Sequence, residues 1–288
     1  MPELPEVETI KRGLVKNIKG KTISDFGCNW SKMINKPLVK YKKAIKGLKI
    51  EDVKRRAKMI ILDLSKGQNI LIHLKLTGQL VYSNKTKCVV GGHPIEQGFE
   101  CLPNKFTHAT FTFTNKGHLY FNDVRKFGWL KLFNDKELEK ELERMNLGPE
   151  PLSKEFTLNY LKQVLKKKPK SKIKPFLMDL KNIVGIGNIY SDEVLFYAKV
   201  RPARLVKSLT DKEIRLIYKG IKKILPESIK AQGTSFRNYV NAMGEAGAFT
   251  KKLEVYRRYG QKCKKCKGII KRVKLAGRTS SYCPKCQK

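Results

Sequence analysis

The sequence predicts an α+β chain: an opening helix, an antiparallel sandwich or barrel, and a helical bundle that ends in a four-cysteine hairpin. Three observations carry this. Short β-branched and aromatic segments crowd residues 21–133. Helical spacing returns beyond about residue 153. Two Cys-x-x-Cys pairs, Cys263/Cys266 and Cys283/Cys286, lie sixteen residues apart near the end.

In chain order, Leu4, Val7, Ile10, Leu14, Val15 and Ile18 recur at helical spacing up to Gly20. Pro2, Glu3, Pro5 and Glu6 suit a helix start, where proline is tolerated and acids face the positive end of the dipole. The same residues admit a chemical reading. With Met1 removed, Pro2 offers a free secondary amine, and α-amino groups titrate near pH 8, roughly 2 units below lysine. Glu3 and Glu6 then stand where a nucleophilic amine wants an acid and an electrostatic partner. From these six residues alone the helix start is the plainer reading.

Segments 22–26, 48–53, 59–64, 70–76, 108–113, 118–121 and 128–133 read as strands, separated by turns such as 65–68 and 115–117. Residues 83–106 are polar, Gly-containing and aperiodic, a long excursion whose Cys88, His93 and Cys101 are too few and too irregular for a second metal site. The acid-rich tract that begins at Asn134 and runs into Leu147-Gly148-Pro149-Glu150-Pro151 reads as a helix followed by a stiff connector. We therefore expect a domain over 1–133, a linker over 134–152, and further domains over 153–250 and 251–288. Helices are expected at 158–168, 175–180, 189–199 and 211–231.

With 288 residues and 41% hydrophobic content, the chain has room for two domains and a sizeable core. The formal charge of +37, of which +25 falls in residues 161–288, points to a polyanionic partner, a nucleic acid or an anionic membrane surface. A lysine-rich, merely solvated surface has the same composition. No apolar run is long enough to span a bilayer and no signal peptide is evident, so a cytoplasmic protein is expected. In that reducing setting the seven cysteines favour metal or free thiols over disulfides.

Each Cys-x-x-Cys pair gives a two-point bite on a tetrahedral ion, and four thiolates close the coordination sphere. The expected cofactor is therefore one structural zinc ion on Cys263, Cys266, Cys283 and Cys286. Basic residues from Lys264 to Lys274, followed by Arg278, make the hairpin a candidate nucleic-acid contact. Gly185-Ile186-Gly187-Asn188 follows no strand, so a tight turn offering N–H groups to a phosphate fits better than a dinucleotide site. Lys58 after Arg55-Arg56-Ala57 reads either as a surface charge or as a proton donor or phosphate ligand, and His73 either as an edge histidine or as a functional one. Asp123-Val124-Arg125-Lys126-Phe127-Gly128 reads as a strand-end loop or as an arginine and an aromatic wedge entering a groove.

Six blocks in order then carry a resemblance. They are Met1-Pro2-Glu3-Leu4-Pro5-Glu6-Val7-Glu8-Thr9, Arg55-Arg56-Ala57-Lys58, Leu147-Gly148-Pro149-Glu150-Pro151-Leu152, Ile173-Lys174-Pro175, Gly185-Ile186-Gly187-Asn188-Ile189-Tyr190, and Gly277-Arg278-Thr279-Ser280 with Cys283-Pro284-Lys285-Cys286. Together they closely resemble the bacterial formamidopyrimidine-DNA glycosylase family from the first residue to the last. The resemblance implies a catalytic β-sandwich with its helix, a helix-two-turn-helix domain and a zinc finger. It also implies a monomeric base-excision enzyme, nucleoid-associated through its DNA, that removes oxidised purines from double-stranded DNA and cleaves abasic sites. By resemblance Pro2 attacks the sugar C1′, Glu3 supplies a proton at the sugar oxygen with Glu6 in support, Lys58 serves β-elimination, and Arg278 serves δ-elimination while holding a phosphate. His73, Lys174 and Asn188 resemble the family's DNA-backbone ligands, and the cations Lys168 and Lys170 are expected to act likewise. Arg125, Phe127 and the apolar wedge Leu76 would fill the space of a flipped nucleotide. Residues 233–249 resemble the loop that closes on the base.

The sequence departs from the family pattern at Leu76 (commonly methionine), Lys75 (glycine), Val124 and Lys126 (proline and arginine) and Phe106 (histidine). Two rival readings are an endonuclease VIII-like enzyme for oxidised pyrimidines and a non-enzymatic basic zinc-ribbon protein. Leu4 and the long 233–249 stretch favour the oxidised-purine reading over the first rival.

Overall fold

The computed structural model describes residues 1–84, 88–92, 102–234 and 247–288, with backbone only for 88–92. The chain falls into two compact units: Met1–Met145 with Ala231–Thr250, and Asn146–Lys230 with Lys251–Lys288. Among the described residues no helix is long and apolar enough to cross a membrane.

The first unit opens with α1 (Leu4–Ile18), whose Leu4, Val7, Ile10, Leu14 and Ile18 form one buried face. Burying each such side chain is worth about 1.5–3 kcal/mol relative to exposure. There follow β1 (Ile23–Cys28), α2 (Leu38–Ile45), β2 (Ile50–Arg56), β3 (Met59–Leu64), β4 (Gln68–His73), β5 (Gly78–Ser83), β6 (Cys88–Gly92), β7 (Thr107–Phe113), β8 (His118–Asp123), β9 (Trp129–Asn134) and α3 (Asp135–Arg144). Two antiparallel sheets form, in the orders β1-β7-β8-β5-β6 and β2-β3-β4-β9. Residues of both sheets and of α1 share a single apolar core that includes Ile10, Phe26, Ile60, Leu62, Ile72, Leu80, Phe111, Phe121 and Leu132. This is the sandwich that the alternating segments predict.

Three local features differ from expectation. The expected strand 70–76 is interrupted: β4 stops at His73, the chain reverses, and β5 starts at Gly78. The Gly78 N–H donates to the Leu74 carbonyl at 2.9 Å, and a Cβ at position 78 would lie 2.3 Å from that same oxygen, so only glycine allows the reversal. Helix α2 went unread because its buried side, Tyr41 and Ile45, is one i,i+4 pair, too short for a visible period. The excursion 83–106 contains β6, which pairs with β5 from Ser83↔Cys88 to Gln79↔Gly92; His93 and Cys101 lie outside the described residues. Helix α3 begins with a reciprocal cap between Asn134 and Glu137, two bonds of 2.9 Å, and groups with the first unit.

The second unit contains α4 (Leu158–Lys167), α5 (Ile173–Met178), α6 (Asn188–Tyr197), α7 (Asp211–Lys230) and a hairpin of β10 (Lys271–Leu275) and β11 (Arg278–Tyr282). Helix α6 is buried along most of its length and packs against α5, α7 and β11. The hairpin groups with the helices, whereas 231–250 groups with the sandwich. Thr234 and Ala248 form a β-bridge, and Ala248 N–H donates to the Ala231 carbonyl at 2.9 Å. The interior of the expected closing loop, 235–246, lies outside the described residues.

Candidate active site and metal centre

The opening residues are held from several sides. Pro2 is buried, as are Glu3 and Glu6. The Glu3 backbone N–H donates to Glu6 Oε2 at 2.9 Å, and the Thr234 backbone N–H donates to Glu6 Oε1 at 2.9 Å. Each carboxylate oxygen thus accepts a charge-assisted bond, which fixes the start of α1 and the stretch at 234 to one group. One turn on, Glu8 accepts from Arg55 Nε at 3.0 Å and from Arg12 Nε at 2.9 Å. Burial alone would raise the Glu8 carboxyl, but the two guanidinium groups hold it below the usual carboxylate range. Arg55 also donates from Nη1 to the Ala57 carbonyl at 2.9 Å, tying α1 to the two-residue turn between β2 and β3. Ala57 takes a positive φ of 55° there, and Lys58 beside it is 6% exposed.

His73 closes β4 opposite Met59 and Trp129. Its Nδ1 accepts from the Lys75 backbone N–H at 2.9 Å, which places the ring proton on Nε2 as a donor. Burial first, then the charges of Lys75 and Lys58, pushes the His73 pKa down to about 3. Its folded pKa lies below the unfolded value, so its contribution to stability is fully present above about pH 6.5 and is lost as pH falls toward 3. We expect the unfolding midpoint to drop between pH 7 and pH 4 by a smaller margin in His73→Gln than in the parent, and the ring ¹⁵N shifts to report the neutral Nε2–H tautomer down to pH 5. An imidazolium signal at pH 6 would contradict this. Lys75 itself sits at φ 52°, a conformation that glycine takes without strain and that costs a residue with a side chain roughly 1 kcal/mol.

Asp123, 0% exposed, holds both expected wedge segments. Its carboxylate accepts from the Thr77 hydroxyl, from the Arg125 N–H at 3.2 Å and from the Gly128 N–H at 2.7 Å. Thr77 Oγ1 accepts from the Arg125 N–H as well, so the turn carrying half-buried Leu76 and the loop carrying Arg125 and Phe127 are tied to one carboxylate and to each other. The Arg125 guanidinium lies 4.8 Å from the centroid of the Phe127 ring, which is 52% exposed. A solvent-facing aromatic under a cation is what stacking against a nucleotide needs.

In the second unit Lys170 is exposed and Lys168 is half-exposed, ion-paired to Asp179 at 2.6 Å. Asn188 opens α6 after Gly187, and its buried Oδ1 has no hydrogen-bond partner among the described residues. Arg278 is exposed at the first position of β11. Lys174 departs from the expectation of a backbone ligand. It is 1% exposed and its ammonium lies 2.7 Å from Asp192 Oδ1, with Asp192 at 0%. Breaking such a pair leaves an uncompensated charge at a cost of roughly 3–5 kcal/mol, so this ammonium serves the interior. Next to it Glu193 accepts from the backbone N–H groups of Glu254, Val255 and Tyr256 at 2.8–3.0 Å, and burial raises its carboxyl to about 7 against those three donors. Sequence reasoning missed Asp123, Asp192 and Glu193 as organisers. An acid inside a strand or helix carries no local signature of the distant N–H groups it will meet.

The four cysteine sulfurs lie within 4.8 Å of one another. Cys263 and Cys286 Sγ are 3.9 Å apart, Cys266 and Cys283 Sγ 3.4 Å. A tetrahedron of sulfurs at about 2.3 Å from zinc has edges of roughly 3.8 Å, so the cluster fits that ion and is far too open for disulfides. Two matching turns present it: Lys267 N–H donates to the Cys263 carbonyl and Gln287 N–H to the Cys283 carbonyl, both at 3.0 Å. With all four positions filled by protein, the centre is structural.

Comparison with known proteins agrees over the whole chain. Family models match residues 1–130 (formamidopyrimidine-DNA glycosylase N-terminal domain), 147–240 (formamidopyrimidine-DNA glycosylase H2TH domain) and 260–288 (a zinc finger found in FPG and IleRS). The chain is 38% identical to a formamidopyrimidine-DNA glycosylase of Desulfitobacterium hafniense and 40% identical to one of Carboxydothermus hydrogenoformans, with 100% of each chain covered. Its fold is similar to that of a variant Lactococcus lactis enzyme crystallised with a Fapy-dG-containing DNA (TM-score 0.89, 33% identity, 100% of both chains). It is equally similar to the Lactococcus lactis enzyme with an abasic-site DNA (TM-score 0.89, 33% identity, 99% of both chains).

Proposed function

The chain belongs to the formamidopyrimidine-DNA glycosylase family, DNA glycosylases of base excision repair with an associated abasic-site lyase activity, and from that premise we propose that it excises oxidised purines through Pro2. Its substrates in this reading are 8-oxoguanine and formamidopyrimidines in duplex DNA, met in a bacterial cytoplasm.

The observation that carries the reading is the pair of hydrogen bonds that Glu6 accepts. By taking the Glu3 and Thr234 N–H groups on its two oxygens, it holds the buried Pro2–Glu3 dipeptide at a set place and direction. Removal of Met1 turns the Pro2 nitrogen from an amide into a secondary amine. That nitrogen attacks C1′ of the flipped nucleotide, the C1′–N bond breaks, and the base leaves with a proton. Glu3 donates a proton to the sugar ring oxygen as the ring opens, and the product is an iminium between Pro2 and C1′. The iminium accepts the electron pair released when a C2′ proton is removed, a step served by Lys58, and the 3′ phosphate departs. A second elimination, served by Arg278, expels the 5′ phosphate. Neutral His73, through Nε2–H, Lys168, Lys170 and Asn188 bind the backbone, while Leu76, Arg125 and Phe127 occupy the vacated stack.

Borohydride reduces such an iminium to a permanent amine. We expect untagged, Met1-processed protein to be trapped covalently on a duplex with 8-oxoguanine opposite cytosine, and at least about tenfold less on one with an oxidised pyrimidine. Preferential trapping on the pyrimidine would move the chain to the endonuclease VIII-like reading. No trapping on any oxidised-base duplex would end the Pro2 mechanism.

A further inference from the structure

We propose that Asp192 is a positioning residue for Arg278, acting through the buried pair it makes with Lys174; the proposal rests on the reading of Arg278 as the group serving the second elimination.

Arg278 follows a two-residue reverse turn, Ala276-Gly277, in which both residues take positive φ (46° and 73°) and Leu275 pairs with Arg278. A turn of that kind fixes the register of the two strands. It does not fix where the hairpin tip points. The three residues after Arg278 supply that direction. The Thr279 carbonyl accepts from Lys174 Nζ at 3.4 Å, the Ser280 hydroxyl donates to Asp192 Oδ1 at 3.0 Å, and the Ser281 N–H donates to Asp192 Oδ2 at 2.9 Å. Lys174 Nζ donates to Asp192 Oδ1 at 2.7 Å, so a single buried ion pair on α5 and α6 grips three successive residues of β11. Ser280 is 0% exposed and Ser281 5%, whereas Arg278 and Thr279 are exposed. The grip thus ends where the exposed residues begin. Asp192 is 0% exposed, so it reaches substrate through what it holds in place and not by contact. Its chain neighbour Glu193 points elsewhere, as successive helical residues must, and captures residues 254–256 ahead of the hairpin.

The test uses full-length, Met1-processed, zinc-loaded protein on a duplex carrying an abasic site. It reads the ratio of double-elimination to single-elimination product at equal amounts of borohydride-trapped complex. Ser280→Ala leaves the ion pair intact and removes one bond of the grip; we expect the ratio to fall about threefold to tenfold with trapping unchanged. Ser280→Thr, which keeps the hydroxyl, should restore the ratio. Asp192→Asn should lower it further, and zinc content shows whether that variant has kept its hairpin. A ratio unchanged in Ser280→Ala while Arg278→Ala lowers it overturns the positioning role. A parallel loss of trapping and ratio in Ser280→Ala also overturns it, because general loosening of the fold would then explain both. An unchanged ratio in Arg278→Ala removes the underlying role of Arg278, and the proposal falls with it.

Discussion

Retention of Met1, or replacement Pro2→Gly, reduces borohydride trapping and base excision by at least about 100-fold, equivalent to roughly 2.7 kcal/mol of barrier. The two changes act differently. With Met1 in place the Pro2 nitrogen is an amide whose lone pair is delocalised, and no nucleophile exists at that position. With glycine an amine remains, but it is primary and sits on a freer backbone, so the buried geometry around Glu3 is lost in part. Neither change touches the apolar face of α1, so far-UV circular dichroism and the unfolding midpoint should stay close to those of the parent. Mass spectrometry of the N-terminus together with the trapping yield checks this. Undiminished trapping by protein that retains Met1 would place the nucleophile elsewhere, with Lys58 the first residue to test.

Stripping the metal from Cys263, Cys266, Cys283 and Cys286 has the second large effect. Structural zinc contributes about 10–16 kcal/mol of apparent binding energy in isolated fingers, more than a short hairpin can draw from its own packing. The small core around the site consists of Phe196, Val255, Cys263, Ile270 and Cys283, so two of its five buried members are ligands. Chelation or Cys283→Ser should therefore release about one zinc per chain, abolish amide protection in β10 and β11, and lower affinity for duplex DNA by roughly 100-fold or more. Helices α4 and α7 should keep their protection. Stoichiometric zinc loss with intact hairpin protection and unchanged DNA affinity would refute a structural role for the metal.

Legibility of the sequence followed the range over which its information is written. Strand β3 was read at its observed bounds because Met59–Leu64 is one apolar run between turns, and α1 because its apolar positions repeat over fifteen residues. The four cysteines were legible because a two-residue gap encodes a metal bite directly. The reversal at 74–77 was not, since it depends on a backbone contact between Leu74 and Gly78 inside what looks like one continuous strand. The resemblance implies a DNA-backbone ligand at Lys174, and nothing local in Ile173-Lys174-Pro175 signals that the side chain is buried. Its burial depends on Asp192, 18 residues on, and on Thr279 of β11, 105 residues on from Lys174. The residues themselves admit a nucleophilic Pro2, but an imino acid at a helix start is physically ordinary, and it is the resemblance that favours the chemical reading.

The neighbouring acids Asp192 and Glu193 have a consequence for modularity. One grips the strand after the hairpin's turn and the other the backbone ahead of its first cysteine, so both ends of the finger are addressed to one helical turn of α6. A transplanted finger comprising residues 254–288 would take its metal to any host but not its aim. An engineer grafting it onto another DNA-binding scaffold would have to move α6 and Lys174 with it, and a lineage exchanging fingers by recombination would be held to the same package.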